Sequence, residues 1–328
     1  MQVAFVPRYG PPDVVELREL PTPTPGPGEV RIRVLATAVT AGDWRVRSGV
    51  LPPGFGVLRG PALGFGGPRK GVLGTDAAGV IDAVGDGVSR FRVGDAVVAF
   101  PGSAMGSHAG FLVIAADGRV VAKPANLTFE EAAALPFGGM TALDVLQRAG
   151  LKAGERVLIN GASGNVGTAA VQLAHHFGAH VTGVCSAGNA ALVRNLGADE
   201  VIDYATTDFT AGDARWDVIV DTAGNAPWSR VERVLAPGGR LLVVLGALST
   251  LLGAILPRSQ QRRIFAGPAT EKVTDLEILA GLAAQGAFKP VIDQRFPFAQ
   301  IADAYRVVDS GRKKGSVIVS LDPAAASC

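Results

Sequence analysis

Val157-Leu158-Ile159-Asn160-Gly161-Ala162-Ser163-Gly164-Asn165-Val166-Gly167 is an apolar run that opens into glycines three residues apart. Val157–Ile159 reads as a buried strand, and the segment from Val166 to Phe177 carries helical spacing, so the glycines sit in a strand-to-helix turn. Missing Cβ atoms at such a turn let backbone N–H groups and a helix N-terminus approach a pyrophosphate closely. The GxxGxxG spacing differs from the commoner GxGxxG, and glycines also punctuate ordinary connections, so the flanking elements have to carry the reading. They do: Arg156-Ile159, His180-Cys185, Glu200-Ile202, Val218-Val220 and Arg240-Leu245 read as strands. Helical stretches Val166-Phe177, Ala190-Leu196 and Trp228-Leu235 lie between them. Such alternation predicts a doubly wound parallel α/β sheet.

Past the second strand the chain reads Val184-Cys185-Ser186-Ala187-Gly188-Asn189. A site for NAD places a carboxylate here to hold the ribose 2′-hydroxyl. None is present to repel a 2′-phosphate, and Ser186 and Asn189 can donate to one, which favours NADPH. The phosphate is held either by Arg194 on the following helix or by neutral donors alone.

The first third reads differently. Short strands at Gln2-Val6, Glu29-Thr37, Gly79-Val84, Ala96-Phe100 and Phe111-Ala115 alternate with Gly- and Pro-rich turns, which predicts a β-rich, barrel-like domain. Helical spacing starts at Thr128, a candidate N-cap with Glu130 and Glu131 in the first turn. Extended Lys289-Phe296, helical Ala299-Ser310 and β-branched Ser316-Leu321 are expected to return to the first domain. The expected division is residues 1–123 with 288–328, and 124–287 between them.

Composition sets bounds. The 328 residues are 48% hydrophobic and 18% charged, enough apolar material for two cores. The formal charge of +2 comes without a dense Lys/Arg block, so nucleic acid is not an expected partner. Met1–Tyr9 holds Pro7 and Arg8 and no signal-peptide core. Arg240–Leu256 is interrupted by Ser and Thr and falls short of the ~20 apolar residues of a membrane span. Cys185 and Cys328 support neither a disulfide framework nor a four-cysteine metal site. A cytoplasmic location is expected.

With these residues read, the chain resembles the medium-chain dehydrogenase/reductase superfamily along essentially its whole length. Val72-Leu73-Gly74-Thr75-Asp76-Ala77-Ala78-Gly79-Val80 is similar to its GxDxxG segment and Val93-Gly94-Asp95 to its VGD turn. Asn160–Gly167 is similar to its cofactor loop, and Leu196-Gly197-Ala198-Asp199 and Pro237-Gly238-Gly239 to two further signatures. The resemblance implies a GroES-like domain built from both chain ends, a Rossmann domain between them and a cofactor in the dividing cleft. It places Gly161, Ser163, Gly164, Asn165, Val166, Gly167, Cys185, Ser186 and Asn189 on the cofactor. Tyr204 would line the adenosine phosphate, or pack as a strand-end aromatic, and Thr141, Ala223, Leu245 and Gly246 would lie near the nicotinamide.

Zinc members of the superfamily use cysteine, histidine and glutamate at positions that here hold Thr40 or Ala41, Thr75-Asp76 and Phe137, so no metal is expected. The resemblance is therefore to the zinc-free quinone oxidoreductase branch, zeta-crystallin-like. It implies hydride transfer from NADPH to a quinone or α,β-unsaturated carbonyl, a small apolar conjugated substrate, and a homodimer paired through edge strands of the cofactor domain, Arg240-Leu245 and the segment after it. Thr40 stands where that branch often has asparagine and can bond a nicotinamide ribose or a substrate carbonyl. Asp43 is either a catalytic partner or a cap carboxylate. His108 is a candidate proton donor; His175, His176 and His180 read as surface. Leu51–Gly67 and Leu248–Gly267 are expected to select the substrate. A non-catalytic NADPH-binding protein and a reductase of enoyl thioesters or other biosynthetic intermediates are the alternatives.

Overall fold

The computed structural model describes residues 1–244, 246 and 263–321. They form two compact units. The first takes Met1–Leu51, Val57–Phe137 and the chain from Glu271 onward; the second takes Pro52–Gly56 and Gly138–Thr270.

In the first unit, β1 (Gln2–Phe5) and β2 (Glu16–Glu19) make an antiparallel ribbon. The larger sheet holds β3 (Glu29–Val39), β4 (Ala77–Val84), β5 (Ala96–Ala99), β6 (Phe111–Ala115) and β7 (Val120–Ala122). The tail adds β14 (Ile292–Pro297) and β15 (Ser316–Ser320), in the order β14-β15-β3-β4-β5-β7 with β6 also on β3. Alternate residues of β3, Val30, Ile32 and Val34, pack with Ile81 and Val97 in one core. In a second core Val39, Val317 and Val319 meet Ile301, Ala304, Tyr305 and Val308. Those four are spaced three, four and seven residues along helix Ile301–Asp309, the stripe a helix buries on a sheet.

The second unit carries β8 (Arg156–Asn160), β9 (His180–Cys185), β10 (Glu200–Asp203), β11 (Trp216–Asp221), β12 (Leu235–Val243) and β13 (Arg263–Ala266). Every pairing is parallel, in the order β10-β9-β8-β11-β12-β13. The order reverses between β8 and β11, and ligands of open α/β sheets bind outside the strand ends at such a switch point. The loops at Gly161–Gly164 and Thr222–Ala226 leave the sheet there. No helix among the described residues is long and apolar enough to cross a membrane.

Several expectations shift. The unit boundaries fall near 137 and 271 rather than 123 and 288, so helices Phe129–Ala133 and Val273–Ala284 side with the first unit. Long-range polar contacts explain this. Glu130 pairs with Arg295 and accepts from Ser320 Oγ at 2.6 Å, and Asn126 Nδ2 donates to the Ala283 carbonyl at 2.8 Å. Strand β12 begins at Leu235, because the helix from Trp228 ends at Val231 and one 3-10 turn follows. Among the described residues β13 pairs with β12 and lies at the end of the strand order, in the segment after Arg240–Leu245. Strands β2, β7 and β13 went unread. Leu245 and residues 248–262 of the expected selectivity segment lie outside the described residues.

Candidate functional site

The glycine turn owes its shape to close backbone approaches. Gly161 has φ +82°, a left-handed conformation, and a Cβ there would stand 2.6 Å from Thr222 Oγ1. A Cβ on Gly167 would stand 2.1 Å from the Gly161 carbonyl oxygen and 2.9 Å from the Ala162 backbone. Gly161 N and Ala162 N both donate to the Val184 carbonyl, at 3.1 and 3.0 Å, stapling the turn to the end of β9. Gly164 caps helix Asn165–His176 without a side chain. The amides of Asn165, Val166 and Gly167 therefore lie in a first turn, which has no carbonyl behind it within the helix. This donor set, with the positive end of the helix dipole and no Cβ in the way, fits a pyrophosphate.

Neighbouring turns complete the cradle. Asn189 Nδ2 donates to Ser163 Oγ at 3.0 Å, tying the turn after β9 to the glycine loop. Ser186 is half-buried beside it and Cys185 is buried. Burial pushes the Cys185 thiol pKa up, Asp203 pushes it the same way, and Arg194 pulls it down, so both charges act at this strand end. Tyr204 follows β10, donates its N–H to the Cys185 carbonyl at 3.2 Å, and is 65% exposed. Thr141 is half-buried on helix Pro136–Ala149, and Gly246 lies beyond β12.

Sequence reading missed Asp221. Its buried Oδ1 accepts from Asn160 Nδ2 at 2.9 Å, Ala223 N at 3.1 Å and Gly224 N at 2.9 Å, and Oδ2 accepts from Ala226 N at 2.9 Å. Thr222 Oγ1 donates to the Asn160 carbonyl at 2.8 Å. One carboxylate thus shapes the loop carrying Ala223 and locks β8 to β11 at the switch point. The available signal was a carboxylate closing the strand Val218-Ile219-Val220 just before Ala223-Gly224, the pattern of a side chain that caps its own loop.

The first unit gathers the positions expected of zinc ligands, with other chemistry in place. Thr40 caps helix Ala41–Ser48 in a capping box with Asp43: Thr40 Oγ1 and N donate to Asp43 Oδ2 at 2.6 and 2.8 Å, and Asp43 N donates to Thr40 Oγ1. Asp43 Oδ1 accepts from Gly74 N at 2.9 Å. Thr40 and Thr75 hydroxyls lie 3.3 Å apart, Thr75 Oγ1 donates to Asp76 Oδ2 at 2.7 Å, and Phe137 N donates to Asp76 Oδ1 at 2.7 Å. Thr40, Asp43, Thr75 and Asp76 are all buried, and no three His, Cys, Asp or Glu side chains among the described residues form a metal-binding group. Asp43 is the capping carboxylate, one of its two expected roles.

His108, the candidate proton donor, lies in the interior of the first unit. It is fully buried: Nε2 is 3.0 Å from the Ala38 carbonyl and must carry the hydrogen, while Nδ1 accepts from Tyr305 OH at 3.2 Å. With both nitrogens occupied it braces the core. In the Leu51–Gly67 segment Leu58 and Phe65 are exposed, while Phe55 and Leu63 are half-buried.

Burial raises the Asp76 carboxyl pKa to about 8, against the lowering effect of its bonds from Thr75 and Phe137, and Asp43 adds to the rise. Folded Asp76 keeps its proton where an unfolded aspartate, titrating near pH ~4, has lost it. Unfolding then releases a proton, and stability falls as pH rises from about 4 to about 8. Asp76→Asn keeps both bonds, with its amide donating to Thr75, and carries no charge. The variant is expected to melt higher than the parent at pH 8, by roughly 1–3 kcal/mol in stability, with the gap closing toward pH 4. Thermal melts across that range check it; a constant gap would show that the proton on Asp76 is not the cause.

Residues 26–125 match the family described as the alcohol dehydrogenase GroES-like domain, and residues 196–319 match zinc-binding dehydrogenase. A chloroplast envelope quinone oxidoreductase homolog of Arabidopsis thaliana is 32% identical over 298 residues, 87% of each chain. A 2-methylene-furan-3-one reductase of Solanum lycopersicum is 34% identical over 77% of this chain and 64% of its own. Among solved structures, the quinone oxidoreductase from Coxiella burnetii superposes with a TM-score of 0.87 at 26% identity, covering 98% of this chain and 99% of that one.

Proposed function

The chain belongs to the medium-chain dehydrogenase/reductase superfamily, in its zinc-free, quinone-oxidoreductase-like branch, and from that premise we propose that it is an NADPH-dependent reductase of quinones or α,β-unsaturated carbonyls. The observation that carries the reading is the cradle at Gly161–Gly167, where any side chain on Gly167 would collide with backbone. The amides of Asn165–Gly167 take the pyrophosphate. Ser186, Asn189 and Arg194 take the 2′-phosphate, Arg194 being close enough to β9 to act on Cys185. Tyr204 covers the adenosine side, and Thr141, Ala223 and Gly246 face the nicotinamide.

NADPH supplies the hydride when bound, and a conjugated acceptor spreads the resulting negative charge onto its own oxygen, so the protein chiefly orients the two. The relative named for 2-methylene-furan-3-one supports this acceptor class, since its substrate by name is a methylene conjugated to a ketone. In the first unit Thr40 and Asp43 are positioning residues: their mutual bonds and the Gly74 N–H hold the end of β3 against the Gly74–Asp76 turn. Water is excluded from this cluster by burial.

Separate titrations with NADPH and NADH, followed by absorbance assays with 1,4-benzoquinone, 9,10-phenanthrenequinone and a short enone, test the reading. NADPH is expected to bind more tightly and at least one acceptor to turn over. Arg194→Ala is expected to weaken NADPH about tenfold, the low end for a charged hydrogen bond, and leave NADH unchanged. NADPH binding without turnover of any acceptor would put the non-catalytic reading in its place.

A further inference from the structure

Between Asp43 and Asp76 the chain carries Arg45, Arg47, Arg59, Arg69 and Lys70 and no acidic residue. The fold lays the segment that carries three of these cations, Arg59, Arg69 and Lys70, alongside Arg8 in the first unit, where Val6 N donates to the Gly71 carbonyl at 2.7 Å. The Arg59 guanidinium lies over the Tyr9 ring, 5.5 Å from its centroid, and Tyr9 OH donates to the Gly64 carbonyl at 2.7 Å. Arg69 N donates to the Leu63 carbonyl at 2.7 Å, and a Cβ on Gly67 would stand 3.0 Å from the Arg8 Cα. Lys70 follows Arg69 directly. The side chains of Arg8, Arg59, Arg69 and Lys70 are exposed, and among the described residues none has an ion-pair partner. Burial raises the Tyr9 phenol pKa, and Arg59 and Arg69 both act from nearby to lower it.

Apolar side chains project from the same loop. Val57 is 88% exposed, Phe65 84% and Leu58 48%, and the Phe65 ring lies against Gly60, beside Arg59. Soluble proteins rarely leave aromatic and branched side chains this open in a cluster, and such a patch rimmed by polar groups marks an interaction surface. A protein partner needs a complementary pocket for each projecting tip. A bilayer interface takes isolated tips among its headgroups and is drawn to the surrounding cations when its lipids are anionic.

We infer that the Val57–Lys70 loop, with Arg8, is a docking surface for a membrane bearing anionic phospholipids, with Val57 and Phe65 entering the interface and Arg8, Arg59, Arg69 and Lys70 lying on the phosphates. This is attachment to one leaflet and needs no spanning helix.

Vesicle co-sedimentation of the full chain tests it, using phosphatidylcholine alone and phosphatidylcholine mixed with phosphatidylglycerol. Binding is expected to the anionic vesicles only and to fade as salt screens the charges. Each cation removed is expected to weaken partitioning about fivefold, so Arg8→Glu with Lys70→Glu abolishes it; neither side chain makes a hydrogen bond that folding needs. Val57→Ser with Phe65→Ser is expected to weaken it at unchanged charge. Melting temperature and NADPH affinity, both read from each variant, report that the fold is intact. Equal binding to neutral vesicles, unaltered binding by either double variant with the fold intact, or complete displacement by soluble glycerophosphoglycerol would each overturn the inference, the last by showing a site for a free anion.

Discussion

Gly167→Ala is expected to weaken NADPH binding by at least about a hundredfold, the order of loss that a 1 Å misplacement of a binding group produces. The added methyl would sit 2.1 Å from the Gly161 carbonyl oxygen and 2.9 Å from two backbone atoms of Ala162. All three are main-chain atoms, so no rotamer change relieves the clash, and helix Asn165–His176 has to back away from the turn. Its first-turn amides move with it. Overpacking also costs stability, roughly 1–3 kcal/mol, because Gly167 is buried with Thr168–Val171 under the sheet. Calorimetric titration with NADPH beside a thermal melt separates the two losses. Parental affinity in a folded Gly167→Ala protein would show that the nucleotide is not held on this turn.

Asp221→Ala is expected to lower the denaturation midpoint by an amount equivalent to about 3–5 kcal/mol and to weaken NADPH in the same preparation. Four donors converge on this one carboxylate, from Asn160, Ala223, Gly224 and Ala226. Each buried N–H left without an acceptor costs about 1–3 kcal/mol. Asp221→Asn sharpens the test. The amide has the right size, but its NH₂ must face N–H groups on one side or the other, so most of the loss is expected to remain. Urea titrations of the parent and both variants give the comparison. An Asn variant within about 0.5 kcal/mol of the parent would mean that the loop after β11 is held by its other contacts.

The strand before the glycines and the helix after them were legible because residues of a few turns, read together, set their own period. The same local logic found the absence of a carboxylate after β9 and the absence of zinc-ligand types at Thr40, Thr75-Asp76 and Phe137, since chemical identity does not wait for folding. Even the capping box at Thr40 was written locally, although a third-position aspartate reads equally well as a turn or a catalytic group.

What those residues do was decided by partners far along the chain. Asn160 meets Asp221 across 61 positions, Thr40 meets Thr75 across 35, and His108 meets Tyr305 across 197. No periodicity couples such distances. His108, read as a candidate proton donor, became a core brace once Ala38 and Tyr305 took its two nitrogens, and Asp76 became a carboxyl that keeps its proton once burial removed its water. The sequence alone determined the alternation of strands and helices from Arg156 to Val243 and the chemistry available at each turn, because propensity and side-chain type act within a few residues. Burial, the pairing of hydrogen-bond donors with acceptors, and the gathering of Arg8 with the cations of a loop some sixty residues later belong to the tertiary structure, because they depend on which distant segments the packed chain brings together.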